Sequence, residues 1–220
     1  MADKEVRAKS NIAVEDLLRG PKPATNAFEV TVEKLGSAIK MGLIAPGERL
    51  PSERNISEMM GVSRTTIREA IRVLTVQEVL TVRRGRTGGT FVSSKFKRPN
   101  TRELKERVSR RGGALLEVLD YRLVVEPGVA QLAAERATKE QVAELGALCR
   151  EMEGAGLKFP RYRDLDTRFH LLIGRATQSD RLAAVIADIH AELSDLMSLI
   201  PYSEEAVNHS VDQHNRLVAA

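Results

Sequence analysis

Apolar residues recur at helical spacing from Phe28 onward, with Val32, Leu35, Ile39 and Leu43 on one face. Gly42 and the Pro46-Gly47 pair then supply a stop and a turn. Ser52, after Pro51, predicts the N-cap of a short second helix whose inward stripe is Ile56, Met59 and Met60 and whose end is Gly61. Ser63 predicts the cap of a third helix with Ile67, Ala70, Ile71 and Leu74 in the core and Arg64, Arg68, Arg72 and Thr75 on the opposite face. The period then falls to two: Leu80 and Val82 alternate, Phe91 and Val92 lie on the return, and RRGRTGG forms a basic, glycine-rich tip. Two short helices joined by GVS and followed by a hairpin have the proportions of a helix-turn-helix with a wing.

The remainder reads as helix. Leu116, Leu119 and Leu123 mark a stripe that Pro127 is expected to break or restart. Thr138 with Gln141 forms a capping box for a helix carrying Val142, Leu145, Leu148 and Met152. A helix over 161–176 buries Leu165, Phe169, Leu172 and Ala176. Another, over 180–200, buries Leu182, Ile186, Ile189, Leu193 and Leu196 and ends at Pro201. Ser210 and Gln213 suggest a further capping box before the last segment. The expected fold is therefore mostly α: a winged helix-turn-helix with a small β-hairpin, then an all-α antiparallel bundle. The expected division is a polar tail over 1–26, in which PKPAT breaks any helix begun by VEDLL, a DNA-binding domain over 27–93, a charged linker over 94–113, and a helical domain over 114–220.

Composition narrows what these elements can do. At 220 residues the chain has room for two ordinary domains, and no apolar run approaches the roughly 20 residues that span a bilayer. The N-terminal MADKEVRAKS lacks an apolar signal stretch, and the single cysteine, Cys149, cannot form an intrachain disulfide, so a cytoplasmic, nucleoid-associated location is expected. Charge is unevenly spread. Residues 1–111 hold 23 Lys and Arg against 13 Asp and Glu, whereas residues 112–220 hold 11 against 17. A basic half joined to an acidic half suits a protein of which only the first part approaches a polyanion, although a solvated basic surface gives the same sums. Arginines opening the third helix could be only a solvated face, but together with the basic, glycine-rich wing they point to DNA, because guanidinium reads guanine edges, threonine reaches a thymine methyl or a phosphate, and glycine lets backbone approach the sugar-phosphate chain.

The stretch GLIAPGERLPSERNISEMMGVSRTTIREAIRVLTVQEVLTVRRGRTGGTFV resembles the winged helix of the GntR family of bacterial transcription regulators, over residues 28–93. By position the resemblance implies DNA contacts from Arg54, Arg64, Thr65, Thr66, Arg68 and Gly85, and a homodimer on a palindromic operator. Residues 114–220 resemble the FCD ligand-sensing domain of the FadR branch. DLDTRFH sets Asp166 and His170 four apart on one helix face, a spacing that serves a metal ion or a simple hydrogen-bonded pair. The resemblance assigns Asp166, His170 and His214 to a divalent metal, zinc being the leading candidate, and puts a fourth histidine about twenty residues beyond His214, past Ala220. It places Arg122 in the pocket, where the guanidinium would hold a small carboxylate effector. An ion pair with Glu126 one turn later is the alternative from spacing. His190 and His209 match no ligand position, and Cys149 reads as a small buried residue. The function implied is a metabolite-responsive regulator, with repression relieved by ligand, and not an enzyme. The alternatives are a metal-dependent enzyme on a DNA-binding head and an architectural DNA-binding dimer indifferent to metabolites.

Overall fold

The computed structural model describes residues 26–85, 88–96, 100–154, 158–199 and 202–220. The expected tail and its VEDLL helix, apart from Asn26, lie outside the described residues, as do two residues of the wing tip.

Helix α1, Ala27–Lys40, starts where the Asn26 side chain accepts from the Phe28 amide, and it turns Leu35 and Ile39 into the core. Helix α2, Glu53–Met60, is capped by Ser52, whose side chain accepts from the Asn55 amide, and ends on Gly61 at φ 63, the left-handed region that glycine enters without a Cβ penalty. Helix α3, Arg64–Val76, is capped by Ser63 through the Thr66 amide. Strands β1, Leu80–Arg83, and β2, Gly89–Val92, pair antiparallel with Leu80 opposite Val92, and Leu50 N–H donates to Thr90 O to fasten the preceding loop to the hairpin. Ile56, Ile67, Ala70, Ile71, Leu74, Leu80 and Val92 close one core over these elements. Met59, expected in that core, is exposed: Ile56 and Met60 are four apart and share the inward face of this short helix, which rotates Met59 outward.

Residues 94–113, read as a linker, contain helix α4, Thr101–Arg111. A reciprocal capping box of Asn100 and Glu103 starts it, Leu104 is buried, and the Arg111 guanidinium donates to the Glu192 carbonyl at 2.6 Å. Five helices follow: α5, Ala114–Arg136; α6, Lys139–Met152; α7, Phe159–Ala176; α8, Asp180–Met197; and α9, Glu204–Ala219. Pro127 does not interrupt α5. It gives up one amide on the side where Leu123 and Val124 are exposed and water can serve the freed carbonyl. The stripe of Leu116, Leu119 and Leu123 faces outward, while Leu115, Val118, Val125, Val129 and Ala133 turn inward. Arg122 and Glu126 share that inward face.

The Thr138–Gln141 capping box forms at the head of α6, and Cys149 is buried there, its thiol pushed up in pKa by burial. Helix α9 begins at Ser203, seven residues before the capping box expected at Ser210; the Ser203 side chain accepts from Ala206, and Glu204 and Glu205 complement the helix dipole. Helices α7 and α8 meet across Gly174, where an added Cβ would lie 3.2 Å from Ile186 Cβ and 3.3 Å from Ala183 Cα. Between the two halves, Lys40 Nζ at the end of α1 lies 2.7 Å from Asp195 Oδ1 on α8.

Candidate DNA-contacting face and metal-ligating cavity

Helix α3 presents its first turn to solvent, because the Ile67–Ala70–Ile71–Leu74 stripe fixes the opposite face in the core. Arg64 and Arg68 stand one turn apart on the exposed side, and Glu53 of α2 reaches both, at 3.8 and 2.7 Å. That carboxylate pairs with both guanidiniums near the helix start. Thr65 is exposed, whereas the Thr66 hydroxyl lies 2.8 Å from Ser63 Oγ and so takes part in the cap. Arg54 pairs with Glu58 along α2, and both are exposed. Gly85, at φ 102, begins the turn at the wing tip, and its carbonyl accepts from Gly88. Sequence reasoning did not single out Arg49 or Arg83. A Cβ on Gly89 would lie 2.6 Å from Arg49 Nε, and Arg83 stacks 4.4 Å over the Phe91 ring, so glycine and aromatic neighbours seat two more cations on the hairpin.

The bundle and the end of α1 line a half-open cavity of about 480 Å³ into which α5 sends Arg122 and Glu126, α7 sends Asp166 and His170, α8 sends His190, and α9 sends His214. The i, i+4 spacing on α7 aims Asp166 and His170 the same way, and α9 brings His214 Nε2 within 3.6 Å of Asp166 Oδ1. One ligand atom from each of Asp166, His170 and His214 falls within 4.8 Å of the others, so the three candidates drawn from distant parts of the sequence do converge. His214 packs on the Phe169 ring at 4.3 Å, and its Nδ1 is buried without a hydrogen-bond partner. Two imidazoles and a carboxylate suit zinc and other borderline divalent ions, and an imidazole held in an apolar wall fits that duty.

Arg122 lines the cavity, and its Nε lies 3.0 Å from Glu126 Oε1, which is the ion pair that the spacing offered as the alternative. Glu126 also faces His190 Nε2 at 3.2 Å and His170 Nδ1 at 3.9 Å. The contacts at Oε1 are close without hydrogen-bond alignment, which leaves Oε1 and His190 Nε2 buried and lacking a directed partner. Burial works to raise the Glu126 carboxyl, yet the approach of His190, His170 and Arg122 outweighs it and brings the pKa down to about 2. Burial and the neighbouring His190 hold His170 well below its ordinary range. Burial likewise depresses His214, and burial with Asp166 nearby pushes Tyr162 up to about 12. Both depressed imidazoles are thus neutral near pH 7, the form that ligates metal. The lining holds three cationic side chains, Lys40, Arg122 and Arg163, against three acids, Glu126, Asp164 and Asp166. Charge in the cavity therefore balances without an ion, and a divalent cation would create the positive surplus that a carboxylate seeks.

A winged helix with a basic reading face, joined to a helical domain with a carboxylate-imidazole cavity, defines the class of DNA-binding regulators. Residues 29–92 match the bacterial regulatory proteins of the gntR family, and residues 117–220 match the FCD domain. It is 36% identical over 163 residues, 73% of this chain and 58% of the relative, to a Mycobacterium gastri protein named as an HTH-type transcriptional regulator. It is 31% identical over 167 residues to the Exu regulon transcriptional regulator of Escherichia coli K12, covering 76% of this chain and 63% of that one. The Uxu operon transcriptional regulator of the same strain is 34% identical over 167 residues, 73% of this chain and 63% of that one. A solved GntR structure from Streptococcus agalactiae aligns over 88% of each chain at 28% identity with a TM-score of 0.42. The chain thus spans roughly three fifths of its curated relatives' length. The families and relatives are those of regulators, not enzymes, and among the described residues no helix is long and apolar enough to cross a membrane.

Proposed function

We propose that this protein is a metabolite-responsive transcriptional repressor of the cytoplasm, acting as a homodimer on a palindromic operator. The reading helix enters the major groove with Arg64, Thr65 and Arg68 toward base edges, while Arg54, Thr66 and Gly85 meet the sugar-phosphate backbone. In the bundle, Asp166, His170 and His214 hold a divalent cation, zinc before others, and the ion with Arg122 captures a small carboxylate. The metal supplies a fixed positive centre for that anion. The observation that carries this reading is the convergence of Asp166, His170 and His214 within one cavity whose lining cations and acids, Asp166 included, are equal in number.

Coupling to DNA needs an effector that prefers one placement of the heads over another. Lys40 supports such a link, because it ends α1 of the head, lines the cavity and pairs with Asp195. An anion entering the cavity competes with Asp195 for the same ammonium. The DNA half of the proposal is tested by selecting binding sites from random duplexes and measuring affinity for the selected site and a scrambled one. Arg68→Ala is expected to lose about 1–3 kcal/mol on the selected site alone. Equal loss on both duplexes would reassign Arg68 to phosphate contact.

A further inference from the structure

His190 matches no ligand position in the sequence pattern, yet it is as deeply buried as His214. Its Nε2 lies 3.2 Å from Glu126 Oε1, and both atoms are buried without a directed hydrogen-bond partner. Its ring lies 4.6 Å from that of His170, which His214 meets edge-on at 5.4 Å. One ligand atom from each of Glu126, His170 and His190 falls within 4.8 Å of the others, as is also true of Asp166, His170 and His214. The two trios meet in His170.

We propose that Glu126, His170 and His190 form a second divalent-cation position in the same cavity, alternative to the one at Asp166 and His214 and pivoting on His170. This rests on the reading of the cavity as cation-binding. Its donor set, two imidazoles and one carboxylate, has the same chemistry as the first position and suits the same borderline ions. Occupancy is exclusive, because a neutral imidazole offers one lone pair and His170 can ligate one ion at a time. Geometry also gives the second position a consequence that the first lacks. Glu126 Oε1 now faces the Arg122 guanidinium at 3.0 Å, and an ion held by that carboxylate displaces the guanidinium toward the cavity. The ion's position thus sets whether Arg122 is tied to Glu126 or available to an anion.

The test uses Zn²⁺ and Co²⁺ alone on the chelator-treated full chain, with stoichiometry by elemental analysis, affinity by competition with a chromophoric chelator, and folding by circular dichroism. Wild type is expected to bind one ion. His214→Ala is expected to keep one ion, held at Glu126, His170 and His190, with a changed Co²⁺ visible spectrum. Adding His190→Ala to His214→Ala should then weaken binding roughly tenfold or more, as loss of a ligand or its support does. His190→Ala alone should still bind through Asp166 and His214. A folded His214→Ala that binds no ion overturns the second position and leaves the first intact. Retention in His214→Ala with loss in His190→Ala overturns the first position and leaves the second. Binding by the double variant equal to that of His214→Ala, two ions bound by wild type, or no ion bound by wild type would each overturn the proposal.

Discussion

Glu126 is the residue at which burial and charge oppose each other most strongly. It stays ionised because two histidines and an arginine surround it, and its pKa of about 2 means its contribution to stability is complete above about pH 4.5 and lost only as pH falls toward 2. His170 and His214 act in a different window. Their folded pKa values lie below the ordinary value of about 6.5, so below that pH the unfolded chain binds protons that the folded chain refuses. Metal-free protein is therefore expected to lose thermal stability steadily as pH drops from about 6.5 to 5, with a smaller slope in His170→Gln, as measured by melting curves. A flat profile over that interval would show that these imidazoles are not buried neutral. At this scale the sequence was legible where neighbours are local: Arg64 and Arg68 on one face, Asp166 and His170 four apart. Their partners were not. Glu53 precedes Arg68 by fifteen residues and Glu126 precedes His190 by sixty-four, and no local spacing reports such contacts.

Helix starts and the hairpin followed local rules, and Ser52, Ser63 and Thr138 cap where side-chain chemistry says they should. Helix α5 shows why the rest did not. It carries apolar residues on all sides, so period alone could not choose between the Leu116–Leu123 stripe and the Leu115–Val129 face. Tertiary packing chose the face that turns Arg122 and Glu126 inward, and the same packing carries the helix through Pro127. Helix α4 looked like a linker because Leu104 and Val108 are its few apolar anchors; these, the Arg111–Glu192 contact and a capping box suffice. The α7–α8 crossing gives a direct test. Gly174→Val is expected to destabilise the fold by about 1–3 kcal/mol in denaturant titration, because an added Cβ already meets Ile186 and the Ala183 backbone at 3.2–3.3 Å. Unchanged stability would mean that the two helices can separate freely.

Across the whole molecule, the charge asymmetry visible in the sequence corresponds to function by halves: arginines on an exposed head, acids distributed through a bundle. What the sequence could not show is that the head reaches the cavity at all. Lys40 does so through Asp195, whose side chain is 9% exposed against 26% for the lysine. Lys40→Met leaves that carboxylate without its cation and is expected to cost roughly 1–3 kcal/mol, with Asp195→Asn on top restoring part of the loss. Additive losses in the double-mutant cycle would show that the pair does not join the halves.

The central claim, that a metal-centred cavity senses a small acid, is tested most directly by melting chelator-treated protein against a panel of mono- and dicarboxylates with and without Zn²⁺. A ligand at a hundredfold over its Kd adds about 2.7 kcal/mol, a readily visible shift. The account predicts a shift by at least one carboxylate that needs zinc and disappears in His170→Ala. Stabilisation that persists in excess chelator, or no response from any carboxylate by zinc-loaded protein, would contradict it.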